Sequence, residues 1–195
     1  MINNKTFIIA EAGVNHNGNI DRAIKMIDIC KKIGADAIKF QHFKADQLVK
    51  KNAKKAPYQI KNTKNKETQY KMLKKLELKE KQYFILKNYF KKKNIKFISS
   101  AFDEDSVSFL NNQLKEKVIK VPSGEITNFF LLKKLDIKKN FILLSTGMSN
   151  YKEIVDAINL ICKKKIFSFA KGRINIVSKK NHRIIKKRII ILHCV

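Results

Sequence analysis

The chain has 195 residues, with 43 Lys and Arg against 16 Asp and Glu, a formal net charge of +27, and 44% of its residues are hydrophobic. A chain of this length and apolar content buries roughly 70% of its unfolded surface, which excludes a largely disordered protein. Its longest apolar runs, at 7–10, 141–144 and 189–192, fall far short of the roughly 18 residues that cross a bilayer, and the stretch before Glu11 is too short for a secretory leader. A cytoplasmic protein with no membrane partner is therefore expected.

In chain order, a β-branched run predicts a first strand at 7–10. A helical face of Ile20, Ala23, Ile24, Ile27 and Ile33 follows, with Gly34 as its stop. The second strand is expected at 37–41. Residues 44–95 form a long basic connection, whose polar stretch at 58–69 reads as a loop over the sheet, a candidate lid. It ends in a helix marked by Tyr83, Phe84, Leu86 and Phe90. A third strand at 96–100 precedes Asp103, a cap for a helix carrying Val107, Leu110 and Leu114. Strands at 118–121 and 141–145 come next, then a helix from Tyr151 with an Ile154, Ile158, Ile161 stripe. Residues 166–177 alternate around Gly172 and predict a β-hairpin inserted before a sixth strand at 189–193. Strand and helix alternation gives an α/β class with a parallel sheet, either doubly wound or a (β/α) barrel.

The charge is unevenly placed. Residues 50–96 carry 17 Lys and 3 Glu, and the basic insertion 163–188 carries 8 Lys and 3 Arg with no acid. These two segments supply 25 of the 27 charges, so the framework between them is nearly neutral. Arg occurs 4 times and Lys 39 times, a skew that argues against nucleic acid, where Arg makes the bidentate contacts. Both segments read as solvated surface. Cys30, Cys162 and Cys194 are odd in number and widely spaced, and are expected to be reduced packing residues.

Polar and reactive residues gather at the carboxyl ends of the predicted strands, where parallel α/β folds place their sites. Glu11 ends the first. Lys39 and Gln41 share one face of the second, and a buried strand lysine requires an anion or a carboxylate partner. Ser100 and Phe102 end the third, Lys120 with Ser123 and Glu125 the fourth, Ser145 the fifth and His193 the sixth. Two inward lysines with several hydroxyls suit a phosphate or carboxylate, and two glutamates remain for acid and base work. Each strand-end Ser or Asp taken singly also fits a helix cap. His16 reads as a loop or helix-start residue. The four histidines show no paired metal-ligand spacing.

Taken together, Ile9-Ala10-Glu11-Ala12-Gly13-Val14-Asn15-His16-Asn17-Gly18, Ile38-Lys39-Phe40-Gln41, Lys120 with Ser123-Gly124-Glu125, Ser145-Thr146-Gly147-Met148 and Leu192-His193-Cys194 resemble the N-acetylneuraminate (sialic acid) synthase family. The resemblance implies a TIM-type (β/α) barrel and a following antifreeze-like domain. It implies condensation of phosphoenolpyruvate with N-acetylmannosamine or a related amino sugar, dependence on a divalent metal (Mn2+ or Mg2+), and a homodimer. Carried over, Lys39, Lys120, Ser123 and Ser145 would hold phosphoenolpyruvate. Gln41, Ser100 and Phe102 would shape its pocket, and His193 would orient substrate. Glu125 would meet the sugar aldehyde, and Glu11 would transfer protons. A legionaminic or pseudaminic acid synthase fits the same motifs, and a non-catalytic basic module binding acidic partners is the alternative of another class.

Against that pattern, residues 1–195 are expected to be an incomplete barrel with six of eight strands, lacking the antifreeze-like domain. The family's metal ligands would lie beyond Val195, so no metal site is assigned to this chain, and the polypeptide alone is expected to be weakly active or inactive.

Overall fold

The computed structural model of the chain describes residues 6–63 and 65–194. Residues 1–5, on which the leader reading partly rests, lie outside them. Two compact units divide at Ile98/Ser99. The first holds β1 (Ile9–Gly13), α1 (Ile20–Lys32), β2 (Ala37–His42), α2 (Ala45–Leu48), α3 (Pro57–Thr63), α4 (Gln69–Leu76) and α5 (Glu80–Lys93). β3 (Lys96–Ala101) spans the division. The second holds α6 (Glu104–Ser108), β4 (Val118–Val121), α7 (Phe129–Lys134), β5 (Phe141–Ser145) and α8 (Tyr151–Cys162). It continues with β6 (Phe167–Ala170), β7 (Arg173–Ile176), α9 (Lys179–Ile185) and β8 (Ile189–Leu192). Six strands form one sheet in the order β1-β2-β3-β4-β5-β8, and β6 pairs with β7 separately.

In the first unit, β1 begins two residues later than the apolar run suggests. Phe7 and Ile8 are exposed, and the parallel register Ile9↔Ala37, Glu11↔Lys39 draws Glu11 into the strand. α1 starts because the Asn19 side chain accepts a hydrogen bond from the Arg22 N–H at 2.9 Å. Ala23 and Ile27 are its buried residues, whereas Ile33 is exposed because it follows the last helical turn and escapes the helical phase. Phe84 is likewise exposed on α5. Tyr83, Leu86 and Phe90, spaced three and four apart, form the inward stripe, and position 84 lies off it. With Phe40 and Phe97 they make an aromatic core, in which the Phe90 and Phe97 ring centroids are 5.0 Å apart. The Tyr83 hydroxyl donates to the Gln41 carbonyl at 2.7 Å, satisfying a buried polar group.

The loop expected at 58–69 is instead helical over its first half. α3 has Pro57 in its first turn and closes locally. The Ala56 N–H donates to Gln59 Oε1 at 2.9 Å, and the Thr63 hydroxyl donates to the Gln59 carbonyl at 2.7 Å. These bonds compensate for the absence of an apolar face, since Tyr58 and Ile60 are exposed.

In the second unit, Asp103 caps α6 through the Ser106 N–H at 2.6 Å. The helix then widens into a π-turn at Phe109–Gln113, closed by the Leu114 N–H on the Phe109 carbonyl. α7 has no counterpart in the sequence reading, because its six residues open with the exposed Phe129 and Phe130 and show no amphipathic period. α8 carries a capping box between Asn150 and Glu153 and buries Val155, Ile158 and Ile161. β6 and β7 run antiparallel in the register Phe167↔Ile176 to Ala170↔Arg173, and Lys171 and Gly172 between them both have positive φ. Cys162 is buried, but Cys194 is exposed in the segment after β8, so it is not a packing residue. Among the described residues, no helix is long and apolar enough to cross a membrane.

Candidate functional site

The first unit brings together Glu11, Lys39 and Gln41. Residues 37–42 alternate so that Ala37 is paired by register to Ile9 while Lys39 and Gln41 take the less buried face of β2. Lys39 lies directly beside Glu11 and forms an ion pair with its Oε2. The Lys39 side chain is 12% exposed and that of Glu11 53% exposed, so the enclosed lysine has the carboxylate partner its position demands while the acid still faces solvent. Gly13 keeps this corner open. A Cβ there would stand 3.5 Å from Glu11 Oε1 and 3.6 Å from Gln41 Nε2.

His16 joins this unit as a buried group whose inward placement the sequence did not signal. It stands in the loop before α1, as its position suggested, yet its ring is fully buried and stacked on Phe40 at 5.8 Å. Nδ1 accepts from the Gly18 N–H at 3.0 Å. That acceptor role places the proton of the neutral ring on Nε2, which has no hydrogen-bond partner among the described residues. Burial lowers its pKa to about 4. His42, buried edge-on against Tyr83, is also lowered to about 4, first by burial, with Glu80 opposing the shift and Lys44 reinforcing it.

The second unit aligns Ser100, Lys120 and Leu143 by register across β3, β4 and β5. Ser145 lies two residues beyond Leu143 on the same face of β5. Ser100 Oγ and Ser145 Oγ are both buried and neither has a hydrogen-bond partner among the described residues. A buried hydroxyl without a partner costs free energy of about 1–3 kcal/mol, so two beside one lysine position point to a ligand-facing strip.

Ser123 opens a single 3₁₀ turn, Ser123–Glu125, set by Pro122 and closed by the Glu125 N–H on the Pro122 carbonyl at 3.0 Å. Gly147 approaches it closely, at φ +52°. A Cβ at Gly147 would lie 2.7 Å from the Ser123 Cβ, so only glycine lets these two loops meet. Glu125 is half-buried, and its Oε2 accepts from Asn128 Nδ2 at 2.8 Å. Asn128 also caps α7 through the Leu131 N–H, a positioning role that its polar side chain alone did not reveal. Phe102 follows β3, half-buried, and His193 is exposed just past β8. Thr146 tethers that end, its N–H donating to the Leu192 carbonyl at 3.1 Å. No group of three or more His, Cys, Asp or Glu side chains among the described residues is arranged to hold a metal ion.

A family profile described as the NeuB family matches residues 26–195. The N,N'-diacetyllegionaminic acid synthase of Campylobacter jejuni is 52% identical over 159 residues, covering 82% of this chain and 47% of that protein. The N,N'-diacetyllegionaminic acid synthase of Legionella pneumophila is 47% identical over 155 residues, covering 80% of this chain and 43% of that protein. Among solved structures, the N-acetylneuraminic acid (sialic acid) synthetase of Leptospira borgpetersenii matches with a TM-score of 0.71 at 29% identity, over 98% of this chain and 55% of that one. The chain spans about half the length of the curated relatives it matches.

Proposed function

The chain belongs to the NeuB family, and on that premise we propose that it serves a synthase condensing phosphoenolpyruvate with an N-acetylated amino sugar to give a nonulosonic acid and phosphate. The observation that carries the reading is the pair of buried, unpartnered hydroxyls, Ser100 and Ser145, on the strand face that bears Lys120.

In this reading Lys120, Ser123 and Ser145 receive the carboxylate and phosphate of phosphoenolpyruvate. Lys39 exchanges part of its pairing with Glu11 for the same trianion, and Ser100, Gln41 and Phe102 shape the pocket. C3 of phosphoenolpyruvate attacks the aldehyde carbon of the open-chain sugar, and the aldehyde oxygen takes up a proton. Water then adds to the oxocarbenium centre at C2 and gives up its proton, and the bond to phosphate breaks. Glu125, steadied by Asn128, meets the aldehyde end, His193 orients the sugar, and Glu11 moves the proton of the incoming water. Fixed cations lower the barrier by stabilising charge that gathers on the departing phosphate. The described residues do not fit a resident divalent ion, so every step given belongs to the chain's own side chains. A TIM-type barrel is the architecture proposed for the parallel sheet, in keeping with the sialic acid synthetase match.

The two relatives sharing about half of their aligned residues both make N,N'-diacetyllegionaminic acid by name. Phosphoenolpyruvate contributes no nitrogen, so both acetamido groups of such a product come from the sugar. That favours a doubly N-acetylated acceptor over N-acetylmannosamine. Phosphate release and the mass of the new acid, followed with each sugar in turn, test the reading. Slow release that rises with the doubly acetylated sugar supports it. Preference for the singly acetylated sugar overturns the acceptor assignment, and release indifferent to any sugar overturns the condensation.

A further inference from the structure

Residues 163–188 hold 8 Lys and 3 Arg without an acid, and all eleven basic side chains are exposed. None of them forms an ion pair among the described residues. The nearest acid in sequence, Asp156, is engaged by Lys152 at 2.6 Å. Asp156 and Lys133 border an open cavity of about 590 Å³ together with Lys163, Lys164 and Lys165, so the field there is largely uncompensated. An apolar strip lies within the same segment. Ile174 and Ile176 share one face of β7 and are 45% and 47% exposed, Val177 follows at 54%, and Ile184 on α9 is 47% exposed. Asn159 ties the hairpin to α8 by accepting from the Ile166 and Phe167 N–H groups and donating to the Phe167 carbonyl, so strip and cations sit on a fixed support.

We propose that the 163–188 segment is a peripheral docking surface for an anionic lipid bilayer. The attraction of a charged leaflet depends on the number of nearby cations and not on their geometry, and aliphatic side chains at the centre of a basic patch enter the headgroup boundary. A nucleic-acid surface would favour arginine and stacking aromatics. A protein-binding surface would favour Tyr, Trp and Arg and avoid Lys. The half-exposed side chains here are Ile and Val, and the cations are mostly Lys. A second copy of the chain would bring +11 against +11. The earlier expectation of no membrane partner rested on the lack of a spanning segment, which a peripheral contact does not need.

Co-sedimentation of the full 195-residue chain with vesicles tests the surface. Vesicles of phosphatidylcholine with about 30% phosphatidylglycerol should bind it at least about tenfold better than pure phosphatidylcholine, each basic side chain at the leaflet adding up to about fivefold. About 0.5 M NaCl should release it. The Ile174→Ser/Ile176→Ser variant and the Lys163→Gln/Lys164→Gln/Lys165→Gln variant should each weaken binding several-fold, with circular dichroism unchanged because these side chains are exposed. Equal binding to both vesicle types, binding to neither, or binding insensitive to both variants overturns the proposal. Tighter binding to poly(U) RNA than to anionic vesicles also overturns it and puts nucleic acid in the lipid's place.

Discussion

Acidification should destabilise the fold well above the carboxylate range, because two histidines are buried neutral. His16 and His42 are lowered from 6.5 to about 4, burial being the leading cause for both. Between those values the unfolded chain binds a proton at each histidine and the folded chain does not, so stability falls as pH drops from about 6.5 to 4 and levels off below. A shift of this size corresponds to about 3 kcal/mol per histidine, and to a slope of about 2.7 kcal/mol per pH unit for the pair in mid-window. That is a large share of the roughly 5–15 kcal/mol that holds a domain folded. Asp28, Asp46 and Glu67 have pKa values lowered chiefly by hydrogen bonds from lysines. Their contribution is lost only as pH falls through their own, lower range. Urea unfolding at pH 7, 6, 5 and 4.5 separates the two windows. His16→Phe supplies the control, since its ring keeps the stack on Phe40 but cannot protonate. Losing the Gly18 hydrogen bond should cost about 1 kcal/mol at pH 7, while at pH 5 the variant should exceed the wild type by about 1 kcal/mol. A midpoint that stays flat from pH 7 to 5, or a variant that keeps the full slope, would refute the reasoning.

Gly147→Ala places a Cβ against Ser123 in a left-handed backbone. It should cost about 1–3 kcal/mol in thermal unfolding and weaken phosphoenolpyruvate binding at least about tenfold; an alanine variant that binds like the wild type would show that the Ser123 contact is unimportant. Glu11→Gln removes the countercharge of Lys39. Its melting point should drop slightly and rise more on adding phosphoenolpyruvate than that of the wild type, because the ligand's anion takes over the vacant pairing. A smaller ligand-induced rise than in the wild type would place Lys39 away from the substrate.

The strand order and the polar residues at the strand ends were legible because each depends on a short local pattern. Lys39 and Lys120 stood out for interrupting apolar strands, and Asp103 and Asn150 lie where capping chemistry puts them. Other features depend on tertiary contact and left no local trace. His16 looks like an ordinary loop residue until Phe40 is seen against its ring. The Glu11 to Lys39 pair needs the register of β1 on β2, which a later strand start altered. α3 and α7 are short helices held by side-chain bonds to backbone, with exposed Tyr58 and Phe130 where a periodic reading expects burial. Net charge misled in a different way: its size said nothing of the site, whereas its confinement to exposed segments located a second surface.

Calorimetric titration of phosphoenolpyruvate into the wild type, Lys39→Met, Lys120→Met and, as a control, Lys171→Met tests the central claim most directly. Saturable binding by the wild type and the control is expected, weakened about 10- to 100-fold in each strand-lysine variant, the worth of one charge-assisted contact. Equal Kd values across all four proteins would contradict the assignment of these strand lysines to the substrate.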